Sequence, residues 1–594
     1  MGCWLLALPA NSQKVITRST MVGIGGTNIL DTYLSDEHFT GTGISFLSTV
    51  ERQKESCRWS TLMEHEGNIS LCKSRNTQQE LEGAYNFYWG KLYRWQLLDG
   101  ALSLQAGGLV NASLGFIYNT SNGNNPAQAR AHLNLMPTGV ASYRFQLFNK
   151  TFVARYELAL PLAGVCFSPN YGQSYYEIFN RGDYDHNAVA TTFVTAPEWR
   201  NLLTLDAAIT GKLTLRIGYL GNIQQMKVNN LRQHVWTHRF LIGITKRFSI
   251  VHVKMKKHRC FLFLNFCIVV ILMTACVDIE ERNDSPTGNF EALWTILDEH
   301  YCFFDYKQKE YGLDWNDVYA KYKVRINDSM STVQLFEVLC DMLGELRDGH
   351  VNLSSSMDYG RYWKWQENYP YNYSDSLIRS YLGTDYKIAS GLRYRVLDDN
   401  IGYIRCASFE TGIGEGNLDE ALSYLLLCRG LIIDIRGNGG GNLTTAERFA
   451  GRFVQEKTLV GYMQHKTGKD HNDFSEMKEI YLEPSRNVRW HKKVCVLTNR
   501  SVYSAANAFA VWMRCLPKVT IVGDHTGGGS GMPMSNSLPN GWSVRYSACP
   551  MYDPNKQQTE FGIAPDVKVG LVNDITIGSY RDDIIETARQ LLVK

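Results

Sequence analysis

Between about residues 80 and 250 apolar side chains recur at every second position. Phe152, Ala154, Tyr156, Leu158, Leu160 and Leu162 alternate with Val153, Arg155, Glu157 and Ala159, and Leu213, Leu215, Ile217 and Tyr219 alternate with Thr214, Arg216 and Gly218. Farther on, Trp236, Phe240, Ile242, Ile244 and Phe248 share one face, with Thr237, Arg239, Thr245 and Arg247 on the other. Successive side chains leave a strand on opposite sides, so this period predicts half-buried strands. Turn-rich breaks such as "NTSNGNNP" and "SPNYGQ" separate them. "YNFYWGKLYRWQ" and "YGQSYYEIF" concentrate Tyr and Trp near segment ends, as the interfacial girdle of a membrane barrel does, and "ITKRFSI" reads as a closing strand. Residues 13–250 are therefore expected to form an all-β domain, an up-and-down barrel with its apolar face to lipid. A soluble sandwich burying that face between two sheets is the alternative. His234 and His238 lie four apart, a spacing that makes no metal clamp on a strand, so they are expected to be solvated or lumen-facing.

The middle of the chain has a different texture. "MKKHRCFLFLNFCIVVILMTAC" (255–276) has a basic start, with Lys254, Lys256, Lys257 and Arg259, and an apolar run from Phe261 to Met273. A bilayer-spanning helix needs about 20 apolar residues, and this run is shorter. Met273-Thr274-Ala275-Cys276 resembles a lipobox, which implies lipid on Cys276 and anchorage without spanning. The polar "VDIEERNDSPTGN" follows as a tether, over about 277–289. Residues 1–12, an apolar stretch with a small, polar exit, read as the remnant of an export signal. The segment 254–276 thus reads as the start of what is functionally a second protein.

From Phe290 the period becomes helical. Phe290, Leu293, Trp294, Leu297 and Tyr301 mark one face. A second helix opens with Ser331 and Gln334 in capping-box positions and is expected to bury Leu335, Phe336, Leu339, Met342, Leu343 and Leu346. After about 398 the apolar runs "LIIDI", "VCVLT" and "VTIVG" alternate with helical segments, the pattern of an α/β domain.

Composition narrows the function. A chain of 594 residues exceeds one core, and 20% charged against 44% apolar residues is folded material. A net charge of +3 without a long basic block gives no footprint for nucleic acid. Fourteen cysteines without a CxxC pair or zinc spacing point to neither structural zinc nor a disulfide framework. "RGNGGGN" and "TGGGSG" lack the GK[ST] ending of a phosphate loop, so no nucleotide cofactor is expected.

Five stretches, in this order and spacing, resemble peptidase family S41, the tail-specific or C-terminal-processing serine peptidases: "LRDGHVNL" (346–353), "LIIDIRGNGGGN" (431–442), "VLTNRSVYSAANAFA" (496–510), "VGDHTGGGSG" (522–531) and "TEFGIAPDV" (559–567). The resemblance covers about 290–594. It implies a helical and irregular region over 290–397 and an α/β core of the ClpP/crotonase-like type over 398–594. Residues 13–250 resemble an outer-membrane-like β-barrel family of Bacteroidetes of unknown function.

The S41 resemblance puts the nucleophile at Ser504, at the start of a helix. There the Ala505 amide, together with a Gly439 or Gly440 amide, would form an oxyanion hole. Asp434 and Arg436 are expected to hold the glycine loop, and Ser501 to shape the turn. Many S41 members use a lysine base, and its position here is Gly529. The tricorn-like branch instead uses a histidine and a glutamate, which match His350 and Glu560. An imidazole can shuttle a proton near neutral pH, and a carboxylate can orient it, although Asp348 could fill that second role. The glycine-leucine loop of a PDZ module is not found, so the aromatic segment with Trp363 and Trp365 is left to cover the cleft or serve as core.

These expectations sum to an exported, lipid-anchored serine endopeptidase in a Gram-negative cell envelope, an outer-membrane lipoprotein facing periplasm or surface. It would act on protein or peptide substrates, contact the membrane and need no cofactor or metal. Two alternatives stand beside it: a peptidase-like domain that binds peptide or glycan without hydrolysis, and a barrel whose porin-like role is the main function.

Overall fold

Twelve strands occupy the first part of the chain: β1 (Lys14–Asp31), β2 (Ser35–Lys54), β3 (Trp59–Lys73), β4 (Gln79–Leu97), β5 (Leu102–Asn119), β6 (Ala127–Leu147), β7 (Lys150–Ala159), β8 (Ala163–Phe167), β9 (Ala188–Thr192), β10 (Glu198–Ala208), β11 (Leu213–Val228) and β12 (Leu231–Phe248). This computed structural model describes residues 14–248 without 55–56, 77, 148–149 and 211–212, then 283–572 and 581–593. The segments 1–12 and 254–276, with Cys276, lie outside the described residues. The chain forms two compact units: Met1–Tyr171, Asp185–Asn289 and Ser535–Ser543 in the first, and Gly172–Tyr184, Phe290–Met534 and Val544–Lys594 in the second.

In the first unit each barrel strand pairs antiparallel with its neighbour. β5–β6 pairing closes the ring, giving a closed barrel of ten strands in which β8 and β9 extend the β6 edge. The alternation has the inside-out sense. Phe240, Ile242 and Ile244 are exposed, whereas Arg239, Leu241 and Thr245 are buried. Inside, Arg200 of β10 reaches across to Glu64 (2.8 Å) and Glu66 (3.0 Å) of β3 and to Glu157 (3.0 Å) of β7. Since β3 and β10 are not neighbours, these bonds cross the interior. Fully buried charges require such pairing. Two apolar clusters, one around Leu62, Tyr88, Leu109 and Met136 and one around Met21, Leu47, Leu202 and Leu241, fill more of the lumen.

Two sequence expectations fail here in whole or part: His238 is solvated as expected, His234 is not. His234 and His238 share the outward parity of Phe240, so neither is lumen-facing. His238 is exposed and bonded to the Tyr219 hydroxyl (2.6 Å), while His234 is buried, stacks on Trp236 and bonds to Asn28 (2.9 Å). "YGQSYYEIF" is not a strand end: Tyr175–Phe179 is a short helix closed by a Ser174–Glu177 capping box.

The second unit begins with helices Pro286–His300, Phe304–Tyr311, Trp315–Lys323 and Thr332–Gly344. The last has the expected capping box. The Gln334 amide donates to Ser331 Oγ (3.3 Å) and the Ser331 amide to Gln334 Oε1 (3.0 Å), and all six expected apolar side chains are buried. A sheet follows in the order Lys387–Ala389, Leu392–Val396, Gly402–Cys406, Leu431–Asp434, Val494–Thr498, Val519–Gly523, Val567–Lys568, parallel from Gly402 onward. Its central strands Leu431–Asp434 and Val494–Thr498 are wholly buried, which explains their unbroken apolar runs. A second sheet carries Tyr359–Arg361, Asn352–Ser354 and Ser543–Tyr552 as neighbours. Among the described residues no helix is long and apolar enough to cross a membrane.

Candidate active site

The central strand Val494–Thr498 ends, and the chain turns through residues 499–504 into the helix Ala505–Arg514, almost entirely buried. Ser504 stands at this turn with φ 57° and ψ −126°. A side chain at positive φ is strained, and such strain collects at functional turns that their surroundings hold in place. Here the Ser504 amide donates to Gly528 O (2.8 Å) and the Tyr503 amide to Asn438 O (3.1 Å). The hydroxyl makes no capping bond to the helix it precedes, so Ser504 is no ordinary N-cap.

The glycine loop touches this turn. A Cβ on Gly440 would lie 2.8 Å from Ser504 Cβ and 3.0 Å from the Ala505 nitrogen, so only glycine lets the backbone approach so closely. The Gly440 N–H already donates to Asn438 Oδ1 (2.9 Å). That leaves Gly439 and Ala505 as the amides to face an oxyanion. Among the described residues the Ala505 amide, at the positive end of its helix, has no hydrogen bond outside the helix. Arg436 and Asp434 hold the loop as expected, through a buried two-point ion pair (3.0 and 2.7 Å) joined by Asp582.

His350 follows the tight turn after Thr332–Gly344. It is buried, and among the described residues its ring nitrogens meet only the Gly531 backbone carbonyl, short of full hydrogen-bond geometry. Its ring lies edge-on to Tyr503, centroids 5.0 Å apart, which brings it to the residue beside the serine. Burial, then the Arg545 charge, lowers its pKa to about 3, so the imidazole is neutral at pH 7, with an open lone pair but a low affinity for a proton.

The acidic member is arranged otherwise than expected. Glu560 does not bond to the imidazole. Its Oε2 accepts from the Ser530 amide (2.9 Å), and its Oε1 faces the ammonium of Lys307 (3.5 Å). Asp348 accepts from the His350 amide (2.7 Å), the Tyr301 hydroxyl (2.9 Å) and Ser547 Oγ (2.8 Å), with Lys307 at 4.0 Å. Burial and the Asp348 charge raise Glu560 to about 8. Against the effect of burial, the Lys307 charge and the hydrogen bonds from the His350 amide and Ser547 Oγ hold Asp348 below the usual carboxylate range. The two carboxyl groups around one ammonium titrate together, with Glu560 the one that holds a proton more readily.

Lys307, fully buried and donating to Leu346 O (2.6 Å), gave no signal in "FDYKQKEYG", where it looks like any surface lysine. Tyr503 was equally silent. A Cβ on Gly529 (φ +74°) would lie 2.4 Å from the Tyr503 ring, so the place of the S41 lysine is taken by that phenol. Trp365 stacks on Tyr503 at 4.6 Å and belongs to the wall, whereas Trp363 is 54% exposed.

Comparison with known proteins bears on the family of this second half. Residues 400–569 match the profile of peptidase family S41 and residues 283–344 that of the tricorn protease C1 domain. Residues 8–256 match a family described as protein of unknown function, DUF3316. A solved structure of a candidate peptidase from Parabacteroides merdae is 52% identical, with a TM-score of 0.50, and covers 52% of this chain and 98% of its own. The carboxy-terminal processing protease CtpA of Bacillus subtilis is 26% identical over 178 residues, 29% of this chain and 36% of that protein. The tail-specific protease of Haemophilus influenzae is 26% identical over 208 residues, 32% and 28% of the two chains. The chain thus spans about a third of the length of these curated relatives.

Proposed function

The chain belongs, through its second half, to peptidase family S41, and from that premise we propose that it hydrolyses peptide bonds with Ser504 as nucleophile. The observation that carries this is the strained Ser504 turn, its hydroxyl free of a capping role, set against Gly440 at the head of a buried helix. Neutral His350 takes the hydroxyl proton as Ser504 Oγ attacks the carbonyl, and returns it to the leaving amine. Apo hydrogen bonds between such groups often close only around substrate. The Ala505 and Gly439 amides face the oxyanion. Glu560 acts at one remove, fixing the Ser530–Gly531 backbone rather than the ring. Hydrolysis of fluorescently labelled casein by the full chain tests this: wild type should release dye and Ser504→Ala should not. Equal release from both would refute it.

We further propose that the barrel sits in an outer membrane and that Cys276 carries lipid. The support is the exposed outer belt, with Val22, Ile24, Ile44, Leu114 and Phe240 each between 58% and 68% exposed, around a charged interior. Strands of 18 to 21 residues (β1, β2, β6) exceed the 9–11 or so that cross a bilayer tilted. A lumen filled by ion pairs and apolar clusters favours an anchor over a pore. Co-sedimentation of the chain with outer-membrane vesicles after a carbonate wash is expected, and recovery in the soluble fraction would refute it.

A further inference from the structure

Three neighbouring strands of the second sheet bring two arginines beside His350. Asn352, two residues past the histidine, lies opposite Arg361, and the strand carrying Arg545 flanks Asn352–Ser354 on its other side. Among the described residues no carboxylate lies within ion-pair distance of either guanidinium. Arg361 donates from Nε to Gly349 O (2.7 Å) and stacks over Trp363 (4.4 Å), which leaves its outer nitrogens uncommitted. Arg545 makes no described hydrogen bond, ion pair or ring contact, and its Nε is buried without an acceptor.

The Trp365 indole shares this condition: its Nε1 is buried and unpartnered, in the wall formed with Gly349 and Tyr503. A buried donor without an acceptor is costly, more so when charged, so such donors together call for a ligand rich in acceptors. A guanidinium is matched in two-point fashion by a carboxylate.

We propose that Arg361 and Arg545 form a carboxylate-binding subsite next to His350, holding an acidic group of the peptide substrate, side chain or chain terminus, beside the bond to be cut. This rests on the peptidase reading for its substrate, but not on turnover. The two positive charges reach the ring, since both depress the basicity of His350. A seated carboxylate would offset them, so an acidic substrate also strengthens the base that acts on it.

The test uses the full chain carrying Ser504→Ala, so that binding is read without cleavage. The probe is an array of decapeptides tiled from β-casein. Each is printed as the native sequence and with Asp and Glu changed to Asn and Gln, and each with a free or an amidated C-terminus. Retention on the carboxylate-bearing forms should exceed that on their neutral counterparts at least ten-fold. The arm that carries the preference, internal acid or free terminus, identifies the source of the carboxylate. Adding Arg545→Gln should reduce the preference to under two-fold, Arg361→Gln should weaken it, and Arg545→Lys should keep part of it, which separates lost charge from lost folding. Equal retention of acidic and neutral peptides, no retention of any, or a preference that survives both glutamine variants would overturn the proposal. If casein hydrolysis fails while this preference holds, the subsite stands and the hydrolytic reading falls.

Discussion

At neutral pH Glu560, raised to about 8 by burial and by Asp348, carries its proton, and an amide is a close mimic of that state. Glu560→Gln is therefore expected to retain casein hydrolysis within about three-fold, whereas loss of a general base at His350 should cost about 10²–10⁴-fold. Kinetics of both variants at pH 7 check this, and a hundred-fold loss in Glu560→Gln would show an ionised role. Stability should respond with opposite signs at the two sites. Glu560 binds its proton more tightly folded than unfolded, so its contribution is full below about 4.5 and is lost as pH rises to about 8. His350 is depressed, so its contribution is full above about 6.5 and is lost as pH falls toward 3. Urea midpoints at pH 5 and 8 should show wild type losing ground to Glu560→Gln at the higher pH. Gly529→Lys, the return of the S41 lysine, is expected to lower stability by about 1–3 kcal/mol or more, since it adds backbone strain to a collision with Tyr503. A gain of activity in that variant would contradict the packing described.

Elements differ in how far their residues announce them. The helix Thr332–Gly344 was legible to its cap because Ser331, Gln334 and the apolar face all act within one element. Ser331→Ala should cost about 1 kcal/mol, read as a fall in Tm of the unit that contains it. The barrel was legible because each strand writes both its faces into alternate residues, and Arg239 could be set opposite Phe240 from the sequence alone. Closure was not: it depends on the β5–β6 register and on Arg200 meeting glutamates more than forty positions away, which no local period encodes. The outer face gives its own test. Ile242→Arg should impair insertion into lipid vesicles by about 2–4 kcal/mol, and an unchanged folded fraction would mean that this face meets water. In the proposed active site, Ser504 and His350 were candidates from sequence because motif and chemistry coincide. Lys307, Tyr503 and the Arg361–Arg545 pair carried no such signal, because it is burial that sets them apart from ordinary residues, and burial is a property of the fold.

The whole molecule joins a ten-stranded barrel to an S41 peptidase domain through a segment that reads as a lipoprotein signal. In the proposed division of labour the barrel and lipid on Cys276 supply anchorage, and the second unit hydrolyses peptides. Intact mass of the protein from cells bears on the anchorage. A lipidated species beginning at Cys276 would mean that the two parts are separate in the mature state, whereas a chain that keeps 254–276 would exclude processing there. The hydrolytic reading of the second unit turns on the nucleophile, which is tested most directly by treating the full chain with a fluorophosphonate probe and mapping the adduct by peptide mass spectrometry. One adduct is expected, on Ser504, absent from Ser504→Ala and strongly slowed in His350→Gln. No adduct on wild type, or an adduct on another serine that persists in Ser504→Ala, would show that Ser504 is not the nucleophile.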